Sequence, residues 1–170
     1  MTTGNLFFDA MIKFAILGSA GEVVASLITK RKIELWRVFY SMLVWAALGA
    51  LVKLMFTGFH AFTDGLIAKG YLPKGHISQA FFKSFFTNAM FGPWIIILHR
   101  LLDNLPSRTL SVPTQGLKGA MMTLVWFWIP AHTITFALPL EYQILLAAIW
   151  SFVLGLILGF FKRSKPAIAK

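Results

Sequence analysis

Among the ionisable side chains inside the long apolar stretches of the sequence, four are the candidate pore or cavity residues. They are Lys13, Glu22, Lys53 and Lys83. Placing an ionised group in a hydrocarbon layer costs free energy unless the group is hydrated or has an ion-pair partner. Each of these residues therefore marks a candidate pore or cavity. Three ammonium groups at similar depth on three helices can line a vestibule that attracts anions. Alternatively, each lysine extends its stem to the nearest interface, which fits Lys53 least well.

Helical spacing predicts a local partner for one of these lysines. Asp9 and Lys13 are four residues apart and therefore share a helix face, where they can form an ion pair. For Glu22 we predict a structural role, either as the packed partner of a lysine or as a carboxylate near a helix end.

A His-x-x-x-Asp pattern occurs twice, at His60/Asp64 and at His99/Asp103. On a helix, each histidine can bond the aspartate four residues later. The two pairs are expected at opposite membrane faces, which argues against a shared metal site. We therefore predict two helix-end pairs rather than metal ligation or catalysis.

Motifs of the common enzyme classes are missing from the sequence. It contains no GxSxG, no HExxH, no Walker loop and no pair of carboxylates at one depth. It also contains no cysteine, which excludes disulfides and thiolate metal sites. We predict a protein that is not an enzyme, with no catalytic residue, no metal and no cofactor.

Five long apolar stretches position these side chains, and each is close to the roughly 20 residues that a helix needs to cross a bilayer. They run over Leu6–Ile28, Val38–Phe62, Ala80–Leu98, Leu117–Leu138 and Tyr142–Phe161. With 58% hydrophobic residues in a chain of 170, there is too much apolar surface for a soluble domain of this size to bury. The prediction is an all-α, polytopic transmembrane helical bundle of five spans, forming one domain over residues 1–170.

The basic residues of the loops and the C-terminal tail predict the topology. In a five-span arrangement one membrane face carries eleven of them: Lys30, Arg31, Lys32, Arg37, Arg100, Arg108, Lys118, Lys162, Arg163, Lys165 and Lys170. The other face carries Lys69 and Lys74. By the positive-inside rule the C-terminus lies on the positive, cytoplasmic or matrix-like side, where basic loops meet anionic lipid headgroups. The net charge of +10 therefore indicates lipid contact and no nucleic-acid partner.

A four-span topology is the main rival. The last two stretches meet at Pro139-Leu140-Glu141, a turn short enough to require an antiparallel hairpin. If this hairpin is only half inserted, the chain has four spans.

Prolines and small residues predict how the helices bend and pack. Pro93 and Pro130 fall inside the third and fourth spans, where each removes a backbone hydrogen bond and kinks its helix. Gly18-Ser19-Ala20-Gly21, Gly49 and Gly155-x-x-x-Gly159 provide small surfaces at which helix backbones can approach closely.

Four blocks of the sequence are similar to a known family. The Lys83–Pro93 block resembles a Lys-x-x-x-Asp-Gln-x-x-Phe-Gly-Pro stretch, and Trp128–Pro139 resembles a Trp-Pro-x-x-Gln-x-x-Asn-Phe-x-x-Val-Pro signature. Gly21-Glu22 and Glu34-Leu-Trp-Arg37 stand where the family has Gly-Asp and Asp-x-x-Arg. The family is that of the 22-kilodalton peroxisomal membrane protein and the Mpv-seventeen protein, and the chain resembles a distant member. The resemblance singles out kink and packing residues, namely Gly92, Pro93, Trp128, Pro130, Phe136 and Pro139.

The chain departs from the family pattern at polar positions. The family's Asp-Gln is Thr87-Asn88, and its later Gln and Asn are His132 and Thr135. The resemblance implies a small integral protein of the bacterial inner membrane, the mitochondrial inner membrane or the peroxisomal membrane. It also implies a weakly selective channel for small solutes or an influence on metabolite balance across the membrane.

Two functions remain open. The first is a weakly selective channel or transporter-like pore for small, anionic solutes, because ionisable residues and prolines lie inside the spans. The second is a non-catalytic structural or accessory subunit of a larger membrane complex. The expected partners are the lipid bilayer and either further copies of the chain or other membrane subunits.

Overall fold

The computed structural model describes residues 6–108, 112 and 114–163, and these residues form helices and no strand. The α-helices are α1 Leu6–Ile28, α2 Leu35–Ala68, α3 His76–Phe86, α4 Gly92–Asn104, α5 Leu117–Thr123, α6 Ile129–Ala137 and α7 Leu140–Arg163. Single π-turns join α3 to α4 at Thr87–Phe91 and α5 to α6 at Leu124–Trp128, and a 3₁₀ turn, Leu105–Ser107, follows α4.

Five helical segments are long and apolar enough to cross a membrane, as the sequence predicts. They are Leu6–Ile28, Leu35–Ala68, His76–Asn104, Leu117–Ala137 and Leu140–Ile157. Large apolar side chains such as Leu43 and Trp94 are each 70% exposed, as lipid-facing residues would be. The all-α, polytopic fold class is confirmed.

The second and third helical segments extend beyond their predicted ends. The α2 helix continues to Ala68 rather than Phe62, and α3 begins at His76 rather than Ala80. Hydropathy falls over these extra turns because they carry polar residues, including Asp64 and Gln79, but backbone hydrogen bonding continues through them. The extra turns of both helices contribute walls to the candidate site.

The two prolines inside spans are accommodated by the π-turns. Pro93 and Pro130 each lie six residues after the first residue of a π-turn. The N–H groups of Gly92 and Ile129 bond the carbonyls of Thr87 and Leu124, five residues earlier. A π-turn widens the helix where the proline ring would meet the preceding turn. The predicted distortions therefore take the form of π-turns within helical spans.

Residue contacts divide the chain into two compact units, Met1–Gly49 with Ala148–Lys170, and Ala50–Ala147. The prediction of one domain stays a prediction. In the first unit, helices approach at small residues, as predicted. A Cβ atom at Gly49 would lie 2.7 Å from the carbonyl oxygen of Ala10, and one at Gly155 would lie 3.0 Å from the carbonyl oxygen of Gly21.

In the second unit, α3 packs along α6 through small, fully buried residues. Ala80 and Ser84 have at most 1% of their surface exposed. Small side chains at these positions let the two helices approach closely. The α6 helix ends at Ala137 because Leu138 is extended ahead of Pro139, and α7 begins at Leu140. This turn brings the start of α7 to the end of α6.

Candidate functional site

An open cavity of about 310 Å³ lies at one end of the second unit. Its walls come from the last turns of α2, the first turns of α3, the end of α6 and the start of α7. The lining residues are His60, Asp64, His76, Gln79, Ala80, Lys83, Phe136, Leu138, Pro139, Leu140 and Gln143. Three of the predicted polar candidates, His60, Asp64 and Lys83, are therefore brought together.

An ion pair joins two walls of the cavity. Lys83 Nζ on α3 lies 2.9 Å from Asp64 Oδ1 on α2. The lysine side chain is 12% exposed, whereas the aspartate side chain is 57% exposed. The predicted His60–Asp64 pair is therefore wrong: the carboxylate reaches across to the ammonium group of the facing helix, which is a stronger partner than an imidazole on its own helix.

The imidazole of His60 is left with an unused hydrogen-bonding atom. Its Nε2 is buried and has no hydrogen-bond partner among the residues that the structure describes. Gln143 on α7 interacts with the ring, and the charges of Lys83, Asp64 and Lys53 act on it. Buried polar atoms are usually satisfied by protein or by water, so this atom is an unmet hydrogen-bonding group beside the cavity.

Aromatic rings close the cavity on its inner side. Phe136 lies 5.0 Å from His60 between ring centroids, and Phe56 lies 4.7 Å from Phe136. His132, one turn deeper on α6, packs edge-on against Phe56 at 5.2 Å. Phe56, His132 and Phe136 are all buried. Phe136 lines the cavity and the other two rings pack against it; we call these three rings the aromatic floor.

A cluster of buried polar side chains lies beyond this floor. Ser84 Oγ donates to the Ile129 carbonyl at 2.7 Å, and Asn88 Nδ2 lies 2.8 Å from the Ser84 carbonyl. Asn88 Nδ2 also lies 3.4 Å from the Trp128 carbonyl and 3.2 Å from His132 Nδ1. These contacts join the third span to the fourth at the level of the π-turns.

Lys53 lies on α2 two turns before His60 and is half-buried. Across the described parts of the chain it forms no ion pair, unlike Lys83. Its charge nevertheless acts on His60. Lys53 thus adds positive potential near the cavity without being one of its lining residues.

Two predicted candidates belong to the first unit and have local partners. Lys13 Nζ lies 2.5 Å from Asp9 Oδ2, which confirms the predicted pair. The Glu22 carboxylate accepts hydrogen bonds from Ser41 Oγ at 2.6 Å and from Trp45 Nε1 at 2.8 Å. These two donors are a serine and a tryptophan rather than the predicted lysine, and the structural role of Glu22 otherwise stays a prediction.

The second His-x-x-x-Asp pair behaves differently from the first. His99 Nε2 lies 3.7 Å from Asp103 Oδ2, within ion-pair distance but longer than a hydrogen bond. The predicted proximity is therefore correct for His99 and Asp103.

The predicted kink and packing residues have clear structural roles. A Cβ atom at Gly92 would lie 2.6 Å from Leu124 Cδ2, so this glycine allows the two π-turns to touch. The Trp128 ring packs 5.0 Å from His132, whereas Phe136 and Pro139 line the cavity. Pro93 and Pro130 follow the π-turns.

No site predicted from the sequence includes Ser84, Asn88 or Gln143, and Asn88 stands out only as a departure from a family pattern. Ser84, Asn88 and Gln143 are all buried polar residues within apolar spans. Polar residues inside a membrane usually face the bundle interior. A polar residue within an apolar span is therefore the sequence signal that indicates these three positions.

Comparison of the chain with protein-family models, curated proteins and solved structures gives no match. The resemblance to the peroxisomal membrane protein family therefore stays a prediction.

Proposed function

We propose that this chain is a small transporter-like membrane protein that binds a small anionic solute in the cavity of its second unit and passes it across the bilayer. The proposal depends mainly on one observation, which is that the largely buried Lys83 side chain lies in the wall of an open cavity. Ionisable groups within membrane spans usually line solute or ion pathways because burial in lipid is costly. His60 also lines the cavity, and Lys53 adds a second positive charge nearby.

The aromatic floor favours a transporter-like protein over a permanently open channel. Phe56, His132 and Phe136 are packed and buried immediately behind the cavity. A solute that enters the cavity can continue only if these rings rearrange. Transport would then require a conformational change, which limits its rate compared with an open pore.

Swelling of proteoliposomes tests the proposal. Purified protein is reconstituted, and light scattering is followed in isotonic potassium chloride, nitrate or acetate with valinomycin present. We expect swelling faster than that of protein-free liposomes for at least one salt, and a loss of most of this excess in Lys83→Gln. Lys118→Gln is the matched control, because Lys118 is exposed and outside the cavity.

Swelling at the protein-free rate in all three salts would contradict transport of small anions. Equal swelling rates for wild type, Lys83→Gln and Lys118→Gln would show that the cavity is not part of the transport path.

An accessory subunit is the second candidate, and the buried polar cluster favours it. Ser84 and Asn88 bond both carbonyls and side chains of the facing span, which restrains the movement that transport requires. This candidate predicts stable co-purification with other polypeptides in mild detergent, together with no swelling above the protein-free rate.

A further inference from the structure

The two partners of the cavity ion pair differ greatly in exposure. Lys83 is 12% exposed, and Asp64 is 57% exposed. The carboxylate therefore contacts a largely buried ammonium group from the open side of the cavity. An exposed carboxylate that leaves such a pair is itself rehydrated, because water replaces its partner.

The ammonium group does not have the same freedom. If Asp64 turns away, Lys83 remains largely buried in the cavity wall, with an unpaired charge that is unfavourable there. A second carboxylate entering the cavity would restore its partner. Asp64 Oδ1 thus occupies a position that suits a carboxylate oxygen. That oxygen can belong to the Asp64 side chain or to a ligand in the cavity.

Other cavity residues complete such a site. His60 lines the cavity, and its buried Nε2, with no partner among the described residues, can donate a hydrogen bond to a ligand once the ring turns toward the cavity and this nitrogen carries the proton. Ala80, Phe136, Leu138 and Leu140 supply apolar walls. A volume of about 310 Å³ equals that of about ten water molecules.

We propose that the cavity binds a small monocarboxylate with a short apolar tail, and that Asp64 is a tethered carboxylate which competes for the same position on Lys83. This inference rests on the proposed function and names its solute class. The carboxylate of the ligand replaces Asp64 on Lys83, its second oxygen accepts a hydrogen bond from His60, and its tail lies on the apolar wall. No covalent bond forms or breaks.

The charges favour one negative charge on the ligand over two. The site offers one ammonium group in the cavity wall, and Asp64 stays tethered at the cavity mouth after it is displaced. A dianion such as phosphate would be repelled by that carboxylate.

Ligand-observed saturation-transfer NMR with butyrate tests the inference. The full chain is purified in an uncharged maltoside detergent, and butyrate is titrated at neutral pH, with butyramide as the uncharged probe. We expect butyrate to bind and butyramide to bind at least tenfold more weakly. Asp64→Asn should bind butyrate about fivefold to tenfold more tightly than wild type, because the internal competitor is removed. Lys83→Gln should lose binding, and Lys83→Arg should retain it.

Asp103→Asn is the matched control for Asp64→Asn. It removes an aspartate charge from the other His-x-x-x-Asp pair, and we expect its butyrate affinity to equal that of wild type. Thermal unfolding provides a second readout: butyrate should raise the melting temperature of Asp64→Asn more than that of wild type, since Lys83 then regains a partner.

The possible failures can be told apart. Unchanged or weaker butyrate binding in Asp64→Asn, with binding still dependent on Lys83, overturns the competition by Asp64 and leaves the proposed function intact. Equal binding of butyrate and butyramide, or no binding of either, overturns the monocarboxylate site. If proteoliposomes still swell in other salts, the transport proposal survives that result.

Discussion

Asn88 Nδ2 lies 3.2 Å from His132 Nδ1, and both side chains are buried between the third and fourth spans. Asn88 belongs to the first π-turn, and His132 follows the second by one turn. The same amide nitrogen lies within 3.4 Å of the Trp128 carbonyl. The two π-turns are therefore connected by one side chain, in addition to the contact between Gly92 and Leu124.

Replacement of Asn88 tests this connection. Asn88→Leu removes contacts to the Ser84 and Trp128 carbonyls and to His132. We expect the free energy of unfolding to fall by about 1–2 kcal/mol, because buried acceptors lose their donor. Unfolding of purified protein in mixed micelles with increasing SDS measures the change. Thr57→Ala, which removes one exposed side-chain bond to the Lys53 carbonyl, should change stability little. An equal loss in both variants would contradict the role of Asn88.

A pair of glycines on α2 tests the packing of the first unit. A Cβ atom at Gly49 would lie 2.7 Å from the Ala10 carbonyl oxygen, whereas one at Gly58 would meet nothing within 4 Å. Gly49→Ala should destabilise the protein by about 1–3 kcal/mol through overpacking against backbone. Gly58→Ala should be neutral or stabilising by up to about 1 kcal/mol, because alanine favours the helix. SDS-induced unfolding measures both, and a stable Gly49→Ala variant would show that these helices do not approach as described.

The Glu22 carboxylate provides a third test. It accepts hydrogen bonds from Ser41 and Trp45. Glu22→Gln should lower the free energy of unfolding by about 1–2 kcal/mol, because hydrogen bonds to a charged acceptor are stronger than those to an amide. Glu34→Gln is the control, since Glu34 is 52% exposed and its ion pair with Arg37 lies at the surface. If the Glu34 and Glu22 variants lose equal stability, the Glu22 bonds contribute no special stabilisation.

The sequence predicted those features that depend on one helix at a time. The Asp9–Lys13 pair follows from a four-residue spacing, and the five spans follow from apolar length. The close approach at Gly49 was indicated by residue size, although its partner was not. In each case the signal lies within a single segment.

Features that depend on two facing helices were missed or assigned wrongly. Spacing along α2 pairs Asp64 with His60, but Lys83 on the facing helix is charged and reaches the carboxylate. The prolines predict distortion of two spans, but they do not predict that the two π-turns meet at Gly92 and Leu124. Spacing along one helix does not indicate which residue of another helix lies opposite, so the cavity could not be derived from the sequence.

Thiol accessibility along α2 tests the central claim most directly. The chain contains no cysteine, so His60→Cys and Leu54→Cys each carry a single thiol. In proteoliposomes a charged, membrane-impermeant maleimide should label His60→Cys from one side, because residue 60 lines the cavity. It should leave Leu54→Cys unlabelled, because Leu54 is exposed on the apolar surface that faces lipid. Labelling of His60→Cys that prior butyrate slows would support the solute site, whereas protection of His60→Cys equal to that of Leu54→Cys would contradict a water-filled cavity in the membrane.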